Sequence, residues 1–146
     1  MIAKTNHTTL FTIWCIALLA VLPITATLIE SRIDQVPLNA TNYWKWFIFW
    51  GLGIRLFFKG IRLASTPQSH LTLLELGFAN MALGAMGILS VINDQWRLIA
   101  AIAGAIYFGL TDMLRLLKKT DSRHERVALV YNILVFLGLV AFMVSQ

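Results

Sequence analysis

The chain has 146 residues, 58% of them hydrophobic and only 13% charged, with Lys and Arg outnumbering Asp and Glu by 12 to 7. That is room for one domain, and it is too apolar for an ordinary soluble one, where about half the residues are apolar and about a quarter charged. A single cysteine, Cys15, excludes an internal disulfide and a cysteine-built metal or cluster site.

The net charge of +5 does not point to nucleic acid. The basic residues stand at the ends of apolar runs, where they set orientation in a bilayer. The expected fold is all-α: one integral membrane domain over residues 1–146, built as a polytopic bundle of five transmembrane helices. Each apolar run is near the ~20 residues needed to cross the hydrocarbon core. Backbone hydrogen bonding in lipid then demands helix.

In chain order, a short polar lead with Lys4 precedes a first helix over residues 10–29, which Pro23 should kink. We read it as membrane-spanning; cleavage as a secretory signal near Ile24-Thr25-Ala26 would leave four helices. Residues 30–42 form a polar connection. A second helix, residues 43–63, is unusual in carrying Lys45, Arg55, Lys59 and Arg62. Thr66-Pro67 suggests a cap and a first-turn proline for a third helix over residues 71–92. Asp94 is placed to cap a fourth helix, residues 96–117. Ser122-Arg123-His124-Glu125 reads as a capping box before a fifth, residues 127–144.

The third helix holds the most informative stretch, Glu75-Leu-Gly-Phe-Ala-Asn-Met-Ala-Leu-Gly-Ala-Met-Gly87. At ~100° per residue, Glu75, Ala79, Ala82 and Met86 share one face, and Gly77, Asn80, Gly84 and Gly87 the opposite one. Leu74, Phe78, Met81 and Ile92 lie on a flank between them. Membrane helices associate through close backbone approach, which small residues permit. Two small-residue faces predict a helix packed on both sides, with the bulky flank towards lipid.

Counting at ~1.5 Å rise per residue brings four polar groups to one depth near the inner boundary: Arg55, Glu75, Asp112 and Asn132. On the second helix Arg55, Lys59 and Arg62 share a side. On the fourth, Ala101, Gly104, Ala105, Phe108, Asp112 and Arg115 form a stripe, small above and charged below. Glu75 and Asp112 are expected to face inward, Arg55 pairing with one of them, and Asp112 with Arg115 as the local alternative. Tyr107, Tyr131, Asn80 and Asn132 supply further donors and acceptors. Ionisable groups at this depth are expensive and need partners, so the layer is either packing glue or a site for a proton, ion or polar head group.

Lys4, Arg55, Lys59, Arg62, Arg115, Lys118, Lys119, Arg123 and Arg126 fall on one side of a five-span topology; Arg32, Lys45 and Arg97 fall on the other. The bias predicts a cytoplasmic N-terminus and an external C-terminus in a bacterial inner membrane, with Trp44, Trp46 and Trp96 at the outer boundary. Lys118, Lys119, Arg123 and Arg126 are suited to anionic lipid as well as to orientation. His7, His70 and His124 share the inner side, but each lies in a polar loop or helix boundary, so no metal site is expected. Phosphate-binding loops, nucleophile elbows, zinc-protease motifs and Cys-x-x-Cys are absent from the sequence.

The Glu75-x-Gly77-x-Ala79-Asn80 stretch, followed by Gly84 and Gly87, resembles a central helix in a family of small prokaryotic integral membrane proteins, loosely like the DoxX-type four-helix membrane proteins. The resemblance covers roughly residues 45–117. It implies no assigned activity or cofactor and raises quinone-linked accessory roles only slightly. The leading expectation is a non-enzymatic accessory or scaffold subunit, in a homo-oligomer or with a membrane partner. A small transporter or ligand-binding protein using Arg55, Glu75 and Asp112 is the alternative, and a quinone-linked redox subunit the third. Fold does not choose among them.

Overall fold

The computed structural model describes residues 2–35, 37–66, 70–118 and 123–146, with side chains from Thr9 onward and, in the last helix, from Glu125. Their regular structure is entirely helical and forms five rods. Helix α1, residues 2–33, joins Ile2–Ile16 to Leu22–Ile33 through a π-helical segment, Ala17–Val21. Helix α2, residues 40–64, likewise joins Ala40–Phe47 to Arg55–Ala64 through the π-helical Ile48–Ile54. Helices α3 (Leu71–Leu89), α4 (Gln95–Leu117) and α5 (Arg123–Val144) are uninterrupted.

Four of the rods contain stretches long and apolar enough to cross a membrane: Thr9–Ile33, Leu71–Leu89, Gln95–Leu117 and Glu125–Val144. The remaining rod, α2, carries too much charge to join them. It is also the rod that touches all the others. A charged helix is disfavoured against lipid, and four apolar neighbours supply the shield. Its Phe47, Ile48, Leu52 and Leu56 are buried with Leu18 of α1, Ala100, Ala101 and Phe108 of α4, and Val135, Leu139 and Phe142 of α5.

The boundaries correct several expectations. Helix α1 continues to Ile33 and takes in Glu30, which the sequence reading left in a connection. Helix α2 starts earlier, at Ala40, because the Asn39 carboxamide oxygen accepts the Asn42 N–H at 2.9 Å. Helix α3 stops at Leu89, short of residue 92. Asp94 makes no cap: Asn93 Oδ1 accepts the Gln95 N–H at 3.0 Å, and Asp94 pairs with the Arg97 side chain. The Pro67 and Ser122 capping features lie outside the described residues.

A π-helical turn, Ala17–Val21, precedes Pro23, where a kink was expected. The proline ring removes a donor and crowds the carbonyl four residues back. The helix widens just before it, with the Leu22 N–H bonding to Ala17 O, five residues away. The π segments of α1 and α2 pack on each other.

Helices α2 and α3 form an antiparallel pair in backbone contact. A Cβ built on Gly84 would lie 2.4 Å from Phe57 N, on Gly87 2.7 Å from Gly53 Cα, and on Gly60 2.5 Å from Gly77 O. The Gly77, Asn80, Gly84, Gly87 face is therefore packed as expected. The second small face is packed only at Met86, half-buried against the core; Glu75, Ala79 and Ala82 are exposed. Glycine wins that competition because it alone admits another backbone so closely.

Candidate functional site

Two polar layers lie along the bundle. At the end where α1 runs out and α2 begins, the Glu30 carboxylate accepts from the Lys45 ammonium and, at 2.7 Å, from Trp46 Nε1. Lys45 is buried there, and Trp46 also lies beneath its charge, 5.2 Å from ammonium to ring centroid. The sequence counts Lys45 only as a charge on the outer side and gives it no partner. The missed signal was Glu30, which falls on α1 once the helix is allowed to pass the polar residues that follow Pro23.

The second layer is the one expected from counting rise. Asn132 Nδ2 of α5 donates to Asp112 Oδ1 of α4 at 2.8 Å, and both residues are buried. The Arg55 guanidinium of α2 stacks on Tyr131, 3.7 Å from Cζ to ring centroid, with Phe108 at 5.9 Å. Tyr131 in turn donates to Gly51 O at 3.3 Å, inside the π segment. Lys59 Nζ donates to Tyr107 Oη at 3.2 Å, and Tyr107 donates to Asn80 Oδ1 at 2.5 Å. The small stripe of α4, with Ala101, Gly104, Ala105 and Phe108 buried above Asp112, packs inward as read.

Glu75 is the exception. It stands on the exposed face of α3, away from this layer, and Arg55 takes an aromatic ring as its partner where a carboxylate was expected. The Asp112 contact goes to Asn132, and the described geometry gives no Arg55–Asp112 ion pair. Lys118 and Arg126 are exposed, Lys119 lies outside the described residues, and the Arg123 side chain is not described. His70 is exposed, and among the described residues no group of His, Cys, Asp and Glu is arranged to hold a metal.

The second layer lines a cavity of about 380 Å³ between α1, α2, α4 and α5. Its polar wall is Arg55, Lys59, Arg62, Arg115 and Asn132; its apolar wall includes Phe11, Trp14, Cys15, Leu18, Phe58 and Phe108. Among the described residues no carboxylate lines it; the nearby Asp112 is hydrogen-bonded to the lining Asn132. Several polar atoms of this layer are buried without a hydrogen-bond partner: a terminal nitrogen of Arg55, Oδ2 of Asp112, Oδ1 of Asn132 and Nδ2 of Asn80. Buried polar groups are nearly always satisfied, so these atoms are free to meet a bound water or a ligand. Leu18, Leu56 and Phe108, each 1% exposed, form the cavity's buried apolar lining. A larger concavity of about 570 Å³ runs between α1 and α5 past Ile16, Leu19, Val130 and Leu134; it is almost wholly apolar.

Such an arrangement offers a ligand donors and positive charge. Two unit charges ~8 Å apart at an effective dielectric of ~20 repel by about 2 kcal/mol. Gathering Arg55, Lys59, Arg62 and Arg115 on one cavity therefore carries a repulsion, which the nearby Asp112 carboxylate and a bound anion would both reduce. Guanidinium groups present paired N–H donors that suit carboxylate and phosphate oxygens.

Compared with protein-family models, curated proteins and solved structures, the chain matches none.

Proposed function

We propose that this chain is a five-span protein of a bacterial inner membrane that binds an anionic ligand in the cavity between α1, α2, α4 and α5. The observation that carries the reading is the lining: Arg55, Lys59, Arg62 and Arg115, with no carboxylate beside them among the described residues. Counting α2 as the fifth span is supported by its length and its place among the four apolar rods. The excess of Lys and Arg on the side of Arg62, Arg115 and Lys118 supports a cytoplasmic N-terminus and a cavity mouth towards the cytoplasm.

The test is thermal unfolding of the detergent-purified full chain with decyl phosphate as the probe. A ligand at 100 times its Kd stabilises by about 2.7 kcal/mol, so the midpoint should rise by several degrees. Dodecyltrimethylammonium should give no rise. Arg62→Gln, at the exposed mouth and safe for folding, should weaken the response about tenfold, an effect of ~1.4 kcal/mol. Equal responses to the anionic and cationic amphiphiles would end the proposal.

A second reading, the accessory or scaffold subunit, has one observation of its own. Glu75 stands with Ala79 and Ala82 on an exposed face of a helix apolar enough to span a membrane. A carboxylate facing lipid is expensive, and a partner helix with a donor would relieve the cost. A partner subunit co-purifying at fixed stoichiometry, and lost from Glu75→Ala, is the result this reading requires.

A further inference from the structure

We infer that the anion is the phosphate head group of a membrane lipid, which reaches the cavity sideways from the bilayer between the cytoplasmic halves of α1 and α2. The inference rests on the anion-binding reading above and names its ligand and its route. Trp14 of α1 and Phe58 of α2 both line the cavity. Yet they are 55% and 61% exposed on the outer surface of the bundle. A side chain that lines a cavity and also faces outward stands at an opening, and between membrane-spanning rods that opening faces acyl chains. The helix packing agrees: among the described residues, the Ile2–Ile16 half of α1 packs more closely on α5 than on the Arg55–Ala64 half of α2.

The chemistry of the wall is graded in the same direction. Asn132 is buried and Arg55 and Arg115 half-buried, whereas Trp14 and Phe58 are exposed. A free phosphate would be served by the cations alone and would leave the aromatic wall wet or empty. An amphiphile matches both parts, its phosphate oxygens accepting from guanidinium donors and its tail passing between the two rings. Indole and phenyl rings at such a boundary suit the step from head group to hydrocarbon.

The experiment uses the full chain reconstituted in nanodiscs of equal parts phosphatidylglycerol and phosphatidylcholine, released into mild detergent and weighed by native mass spectrometry. The expected result is a retained phosphatidylglycerol, enriched over phosphatidylcholine by about tenfold, an energy difference of ~1.4 kcal/mol. Arg55→Gln should abolish the enrichment, and Arg62→Gln, whose exposed position spares folding, should reduce it. Inorganic phosphate in tens-of-millimolar excess should leave the adduct in place. Displacement of the lipid by inorganic phosphate, or equal retention of both lipids while decyl phosphate still stabilises the protein, would overturn the lipid assignment and leave the anion site standing. Equal retention of both lipids with no response to decyl phosphate would overturn both.

Discussion

Lys45 shows how this chain carries charge through an apolar bundle. Its ammonium is buried, held by Glu30 on the neighbouring helix, and the same carboxylate takes the Trp46 N–H. Removing one partner of such a pair costs more than the pair contributes, because the other charge stays behind unsatisfied. Glu30→Gln should therefore destabilise the protein by about 3 kcal/mol in denaturant unfolding. Glu30→Gln combined with Lys45→Met should recover most of that loss. A double variant no better than the single one would mean that Lys45 is held by something other than Glu30. Arg55 solves the same problem differently, with its charge spread over the face of Tyr131 and its donors only partly used. Counting rise along each helix was enough to place Arg55, Asp112 and Asn132 in one layer. It was not enough to orient Glu75, because depth follows from rise while facing depends on which of two small faces the neighbour chooses.

That choice is made at the level of the helix pair. Helices α2 and α3 meet backbone to backbone at Gly53, Gly60, Gly77, Gly84 and Gly87, and alanine on the other face of α3 leaves it exposed. Gly84→Ala would press a methyl group against the Phe57 backbone, which has no soft side chain to move. The expected cost is roughly 1–3 kcal/mol, read as a lowered unfolding midpoint. Gly51→Ala is the matched control, since its Cβ would meet only a Val135 methyl at 3.9 Å. That change should be neutral or stabilising by up to about 1 kcal/mol, as alanine is the better helix former. Equal losses at both positions would remove the close-packed interface from the account. The glycine spacing was legible in the sequence because it repeats at helical intervals. The π segments were not, since neither has a repeat in the sequence; they show only in the packed bundle, where they touch each other.

For the whole molecule, the helical architecture followed from five apolar runs and their charged boundaries, but the order of importance did not. Hydropathy judges each helix alone, and by that measure α2 is the weakest candidate for a membrane. Packed, it is the axis on which the other four lean, and the charges that disqualify it become the lining of a cavity. Whether those charges serve a ligand or the fold is decided by what happens when one is removed without a ligand present. Natural binding sites hold like charges together at a cost in stability, and neutralising them commonly stabilises the protein while removing its function. The most direct measurement is therefore the thermal unfolding of Arg55→Met, a change that keeps most of the side-chain volume, with and without decyl phosphate. Our account predicts a ligand-free midpoint equal to or above that of the parent chain, together with loss of the anion-dependent rise. A midpoint several degrees lower, with the rise intact, would contradict it and make the arginine part of the scaffold.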